Sequence, residues 1–195
     1  YKDFEGFTPF SVWSESKNID DVLKLTENLE GAFIVKDYVK SRKHEWYDAC
    51  FIKDIKDKEE AARVIGNFIT RQGENLEGGV VLRKFESLKC IGKHKDSGMP
   101  ISEEYRIFVF NGKILTADNY WNKDKAVNIS EDEYTWIESV ASKIESDFVT
   151  VDLARKTDGS LIIMEMGDGQ VSGLQQIGAD EFYREFQVIQ KSDKL

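Results

Sequence analysis

The sequence predicts an α+β fold of two antiparallel sheets with flanking helices. Three observations predict it. "EYRIFVF-NG-KILTADNYW" is two β-rich runs joined by Asn111-Gly112, a strong signal for a two-residue hairpin turn. "DFVTVDLARKTDGSLIIMEM" is a second hairpin, turning near Asp158-Gly159. Between and around these runs lie amphipathic segments with recognisable starts and stops, so helices accompany the sheets.

Taken in order, Tyr1 to Ser16 holds Thr8-Pro9 and scattered aromatics without a clear period, and reads as an entering linker. "NIDDVLKLTENL" carries Ile19, Val22 and Leu23 on one face, with Asn18 placed to cap a helix. "AFIVKDYV" (32–39) and "WYDACFIKDI" (46–55) are β-branched and aromatic and predict strands, separated by the basic, turn-like "KSRKHE". "DKEEAARVIGNFITRQG" predicts a helix with acids in its first turn and Gly73 just past its end. "GGVVLRKF" predicts a further strand, and residues 86–100 a long loop. Ser130 and Glu133 form a capping box for a helix reaching about Glu145, and "ADEFYREFQVIQ" predicts a closing helix. The organisation expected is therefore a linker over 1–16, a small subdomain over 17–85 and a larger one over 86–195.

Composition removes several functional classes. The 195 residues are 41 % hydrophobic and 12 % aromatic, enough to fold. No apolar run approaches the roughly 20 residues that span a bilayer, which argues against a membrane-spanning helix. The two cysteines, Cys50 and Cys90, show neither a CxxC spacing nor a histidine partner at metal spacing, and suit a reducing, cytoplasmic setting. A formal net charge of −9 disfavours nucleic acid as a partner. The basic residues are nonetheless clustered: Lys36, Lys40, Arg42 and Lys43 in one stretch, Arg83, Lys84, Lys89, Lys93 and Lys95 in another. An acidic chain with two local basic stretches suits a small polyanion, or else two solvated loops.

The chemistry concentrates in the second hairpin. Asp152 lies six residues before Asp158, and Glu165 six after Gly159, so a two-residue turn makes them cross-strand neighbours. Such pairs have Cβ atoms roughly 5 Å apart. Two bare carboxylates there would repel each other, and a divalent cation such as Mg²⁺ would relieve them, with Asp168 available as a third oxygen. The alternative is that one carboxylate faces solvent or meets a lysine or arginine. Lys36 closes the run Phe33-Ile34-Val35, and the following Lys40-Ser41-Arg42-Lys43 is polar and cationic, either a mobile lid over phosphates or a plain hairpin turn. Arg106, alternating with Ile107 and Val109, projects from one sheet face, either to clamp a phosphate or carboxylate or to make a cross-strand ion pair.

As a set, "FIVKDYVKS", "GGVVLRKF", "EEYRIFVFNGKI" and "VDLARKTDGSLIIMEMGDGQVSGL" resemble the ATP-grasp superfamily, in the branch of ribosomal-protein glutamate ligases and their relatives. The resemblance implies an ATP site between two antiparallel sheets. It implies Lys36 at the adenine or α-phosphate edge, helped by Lys40, Ser41 and Arg42. The backbone of Arg83, Lys84 and Phe85 would read adenine, Glu104 would lie near the ribose, and Arg106 near the terminal or acyl phosphate. Lys36 and Arg106 would be the catalytic pair, and Asp152 and Glu165 would hold Mg²⁺. The family's usual third metal ligand is an asparagine two residues after the glutamate, where this chain has Gly167, leaving Asp168 to substitute. The family's N-terminal domain is not in this sequence, so that domain or a partner chain is expected to complete the site. The activity implied is an ATP-dependent carboxylate–amine (or carboxylate–thiol) ligase acting through an acyl phosphate, with ADP released. The substrates would be a small-molecule or peptide carboxylate and an amine acceptor. The alternative is a nucleotide-binding regulatory or interaction module without ligase activity.

Overall fold

A computed structural model describes residues 2–121, 126–175 and 177–192. The chain divides into two compact units. One comprises Pro9–Glu86 with Gly92–Ile101; the other comprises Tyr1–Thr8, Ser87–Ile91 and Ser102–Leu195. Each is described by itself.

The first unit is built on four antiparallel strands, β1 (Ser11–Ser14), β2 (Phe33–Asp37), β3 (Phe51–Ile52) and β4 (Val80–Lys84), in the order β1-β4-β2-β3. The opening segment, expected to be aperiodic, thus contributes the edge strand β1, paired Ser11 to Arg83 and Ser14 to Val80. The period of two in β2 turns Phe33, Val35 and Asp37 inward and leaves Ile34 and Lys36 half-buried on the other face. Helix α1 (Ile19–Lys24) starts where expected, the Asn18 side chain accepting the Asp20 N–H. Helix α2 (Trp46–Ala49) replaces the first half of a predicted strand. Its aromatic residues favour strands, but tertiary packing outweighs that preference: Trp46 and Ala49 are buried, and Trp46 stacks on Phe51 with centroids 5.1 Å apart. Helix α3 (Lys58–Gln72) is capped by Asp57, which accepts from the N–H groups of Glu59 and Glu60, and ends at Gly73. Its Ala61, Val64, Ile65 and Phe68 recur at helical spacing and pack on Val22, Phe33, Val35, Ile52 and Leu82. The predicted loop over 86–100 contains strand β5 (Cys90–Lys93), which pairs with β6 (Pro100–Ser102).

The second unit carries β7 (Glu104–Phe110), β8 (Lys113–Asn119), β9 (Phe148–Arg155) and β10 (Leu161–Asp168), in the order β10-β9-β7-β8 and antiparallel throughout. The β7–β8 turn is the expected one, with Asn111 at φ 50° and Gly112 at φ 74°, as a two-residue hairpin with both residues left-handed requires. One face packs Tyr105, Ile107, Val109, Val151 and Leu153 on helix α4 (Glu131–Ala141) through Ile137, Val140 and Ala141. The Ser130–Glu133 capping box is formed, and α4 ends at Ala141, short of the expected Glu145. The other face is divided. At one end Phe108 and Phe148 pack beneath helix α5 (Ala179–Ser192) through Phe182 and Phe186. At the other end the face is polar.

Candidate functional site

Glu165 pairs directly with Asp152, as the sequence predicts, but by a different route. The turn is one residue longer than expected. Lys156 N–H donates to the Ser160 carbonyl at 2.8 Å, so the loop is Thr157, Asp158 and Gly159. The ladder therefore begins one step out, Leu161 opposite Arg155 and Ile163 opposite Leu153. A bulge between Ile163 and Glu165 absorbs that step and returns Glu165 to the face of Asp152. The two offsets cancel.

Asp152 is 7 % exposed, and Glu165 is exposed. Asp152 also stands opposite Arg106 on its other side, because β7 is the inner neighbour of β9. Arg106 donates from Nε to Asp152 Oδ1 at 2.8 Å and from Nη2 to Oδ2 at 2.7 Å, a bidentate pair with side chains only 11 % and 9 % exposed. The guanidinium also donates to the Gly173 carbonyl at 3.0 Å and lies 4.9 Å from the centroid of the Tyr120 ring. Hydrogen bonding to Asp152 raises its pKa further above the ordinary value, outweighing the opposing effect of burial. Of the two arrangements open for Arg106, the cross-strand ion pair is the one present. The Glu165 carboxylate makes no hydrogen bond or ion pair among the described residues.

Asp168 is engaged within its own turn. Its Oδ1 accepts the Gln170 N–H at 2.8 Å, and its carbonyl accepts the Ser172 hydroxyl at 2.8 Å. Among the described residues no three of His, Cys, Asp and Glu gather to hold a metal. Asp152 and Glu165 remain a suitable donor pair, since Mg²⁺ is commonly held by one or two carboxylates together with substrate phosphates. Gly167 faces Thr150 across the ladder, and the Thr150 hydroxyl meets that of Ser172 at 2.8 Å. Glu104, opposite Ala154, accepts from Ser102 Oγ at 2.6 Å and from Trp121 Nε1 at 3.0 Å. It lines a pocket of about 250 Å³ with Glu103, Tyr105, Asn119 and Trp121.

In the first unit, the segment after Lys36 is tied down. Asp37, fully buried, accepts from the N–H groups of Val39 and Lys40 through Oδ1, and from Gln72 Nε2 at 2.9 Å through Oδ2. Its N–H donates to the Lys40 carbonyl at 2.9 Å, closing a tight turn. Ser41 bridges back to Lys36. Arg42 grips Glu45 with Nε and Nη2 at 2.8 and 2.9 Å, and reaches Gln72 Oε1 at 3.0 Å. Arg42 and Arg71 hold the Glu45 carboxyl down to about 2. The Lys84 and Phe85 N–H groups donate to the carbonyls of Phe10 and Ala32 at 2.8 and 2.9 Å, and Arg83 Nε meets Ser11 Oγ at 3.3 Å. The Phe85 ring packs on Phe51 with centroids 5.0 Å apart.

Sequence reasoning missed Asp37, Tyr120 and the Thr150–Ser172 pair. Asp37 had a signal: in "FIVKD" it shares the inward phase of Phe33 and Val35, where an acid needs a reason. Tyr120 and Ser172 lie outside the strands they serve and had none.

The sequence model described as ATP-grasp domain, R2K clade family 3, matches residues 24–186. Among solved structures, the D-cycloserine synthetase DcsG superposes with a TM-score of 0.57 at 15 % identity, over 98 % of this chain and 68 % of its own. C-terminally truncated Cdc123 from Schizosaccharomyces pombe gives 0.59 at 13 %, over 94 % and 87 %. The ATP-grasp ligase PsnB, complexed with minimal precursor, Mg and ADP, gives 0.51 at 13 %, over 92 % and 54 %. The chain spans about half the length of the PsnB chains it matches, between 44 % and 54 %. At these identities the likeness is one of fold. Comparison with curated proteins found no match.

Proposed function

Because the chain belongs to the ATP-grasp domain family, R2K clade family 3, we propose that it binds ATP with Mg²⁺ and serves a carboxylate–amine (or carboxylate–thiol) ligase. In this reading a substrate carboxylate oxygen attacks the γ-phosphorus of ATP, the bond to the β-phosphate oxygen breaks, and ADP leaves. The amine nitrogen then attacks the acyl carbon, and inorganic phosphate departs. The observation that carries the reading is the row of Arg106, Asp152 and Glu165 on three adjacent strands, a cation and two carboxylates on one polar sheet face. Asp152 and Glu165 would hold Mg²⁺, which neutralises phosphate charge when bound. Arg106 would take the terminal or acyl phosphate. Glu104 would receive the ribose, and Lys36, Lys40, Ser41, Arg42 and the Arg83–Phe85 backbone would receive the rest of the nucleotide.

A second reading is a nucleotide-binding module without ligase activity, favoured by Gly167, which offers no side-chain oxygen beside Glu165. Millimolar ATP with Mg²⁺ should raise the melting temperature, because a ligand of the native state stabilises it by mass action. Lys36→Ala, Arg106→Ala and Glu165→Gln should each shrink the shift, the last only in its Mg²⁺-dependent part. Absence of any shift in the wild-type protein would overturn both readings. ADP release that requires both a carboxylate and an amine would select the ligase; binding without release would select the module.

A further inference from the structure

We propose that Arg106 is a latch on Asp152, and that opening it couples cation binding at the Asp152–Glu165 pair to oxyanion binding at the guanidinium. The inference rests on the reading of that pair as a cation site. Both oxygens of Asp152 are engaged by one guanidinium, at 2.8 and 2.7 Å, and neither side chain is more than 11 % exposed. Its cross-strand neighbour Glu165 is exposed, and its carboxylate makes no hydrogen bond or ion pair among the described residues. A cation arriving at the pair therefore finds one ligand open and the other already neutralised.

Two further contacts decide what the guanidinium does when it lets go. Its Nη1 holds the Gly173 carbonyl at 3.0 Å, and its Cζ lies 4.9 Å from the Tyr120 centroid. Both leave the arginine in place while the partner of its fork changes. A tetrahedral oxyanion presents two oxygens to that fork as a carboxylate does. An oxyanion that takes the fork releases Asp152 toward Glu165, and the site then offers two carboxylates to a divalent cation. The ligand classes are thus a tetrahedral oxyanion, such as a terminal phosphoryl group, and a hard divalent cation. Each should strengthen the other by the same factor, because coupling between two sites is reciprocal.

The test measures Mn²⁺ binding from the resonance of the free ion, with and without sodium sulfate, at ionic strength held constant with chloride. Sulfate supplies the tetrahedral oxyanion without a nucleotide. The variant is Arg106→Lys, which keeps the positive charge and loses the planar fork. Without sulfate, Arg106→Lys should bind Mn²⁺ at least about fivefold tighter than wild type, the lower end of usual coupling between sites. Sulfate should tighten Mn²⁺ binding by the wild-type protein and leave the variant unchanged. Equal Mn²⁺ affinity in the two proteins overturns the latch and leaves the cation site standing. Should the variant fail to fold, the wild type alone decides: no effect of sulfate on its Mn²⁺ affinity overturns the latch. No Mn²⁺ binding by wild type under either condition overturns the cation site and the latch with it.

Discussion

Gly167 stands opposite Thr150 in the β9–β10 ladder, and a Cβ placed on it would lie 3.0 Å from the Thr150 hydroxyl and 3.2 Å from that of Ser172. The two hydroxyls meet at 2.8 Å in the room that the missing side chain leaves. Gly167→Asn should therefore destabilise the protein by about 1–3 kcal/mol, as overpacking does. Adding Thr150→Ala should recover part of that loss. Denaturant melts of the single and double variants check both, and a neutral Gly167→Asn would show that the hydroxyl pair yields freely.

The Asp37 and Glu45 carboxylates predict a pH dependence. Burial pushes Asp37 up, but the Lys40, Gln72 and Val39 donors outweigh it and hold the group below its ordinary 3.8. Arg42 and Arg71 bring Glu45 from an ordinary 4.5 to about 2. Each folded value lies below the unfolded one, so the stability each contributes is present above the unfolded value and lost as pH falls through the folded one. Stability should accordingly decline between about pH 4.5 and pH 2. At neutral pH, Asp37→Asn should cost about 1.5–3 kcal/mol, the range for hydrogen bonds to a charged group. Urea melts across that pH range would show a flatter profile for Asp37→Asn and Glu45→Gln; profiles parallel to wild type would contradict the assignment.

The cysteines should separate cleanly in a thiol assay. Cys50 is fully buried, and burial raises its thiol to about 12 despite nearby Lys43 and Ser41, whereas Cys90 is exposed. The thiolate is the reacting species. A disulfide reagent at pH 8 should titrate one thiol rapidly in the folded protein and two in denaturant. Two rapid equivalents in the folded protein would mean that the segment over Cys50 opens readily.

The elements legible in the sequence are those governed by local chemistry. Asn111-Gly112 specified its turn, Asp57 and Ser130 their helix starts, and four stretches taken together, those around Lys36, Arg83 and Arg106 and the second hairpin with its acids, pointed to the fold family that the chain belongs to. Trp46–Ala49 was not legible, because aromatic residues that favour strands also pack well as one turn of helix on Phe51. The Arg106–Asp152 pair was legible only as one of two possibilities. It depends on β7 lying beside β9, a long-range choice that neither strand's composition encodes. Asp37 was visible in its inward phase, yet its partners Gln72 and Glu77 come from a distant stretch of chain.

The cancelled offsets in the second hairpin bear on how such a chain can change length through evolution. Loss of the bulged Met164 would straighten β10 and still leave its glutamate opposite Asp152, since every later residue simply moves up one place. Loss of a residue from the Thr157–Gly159 loop would leave the ladder as it is when Lys156 and Ser160 stay opposite each other across a two-residue turn, and would exchange inward and outward side chains from Leu161 to Ile163 only when the loop keeps three residues. A single-residue gap can thus be absorbed in the bulge or in the turn, and only a slip of the pairing changes the faces. Homologues aligned by residue count across this turn would have their acids assigned to the wrong side of the sheet.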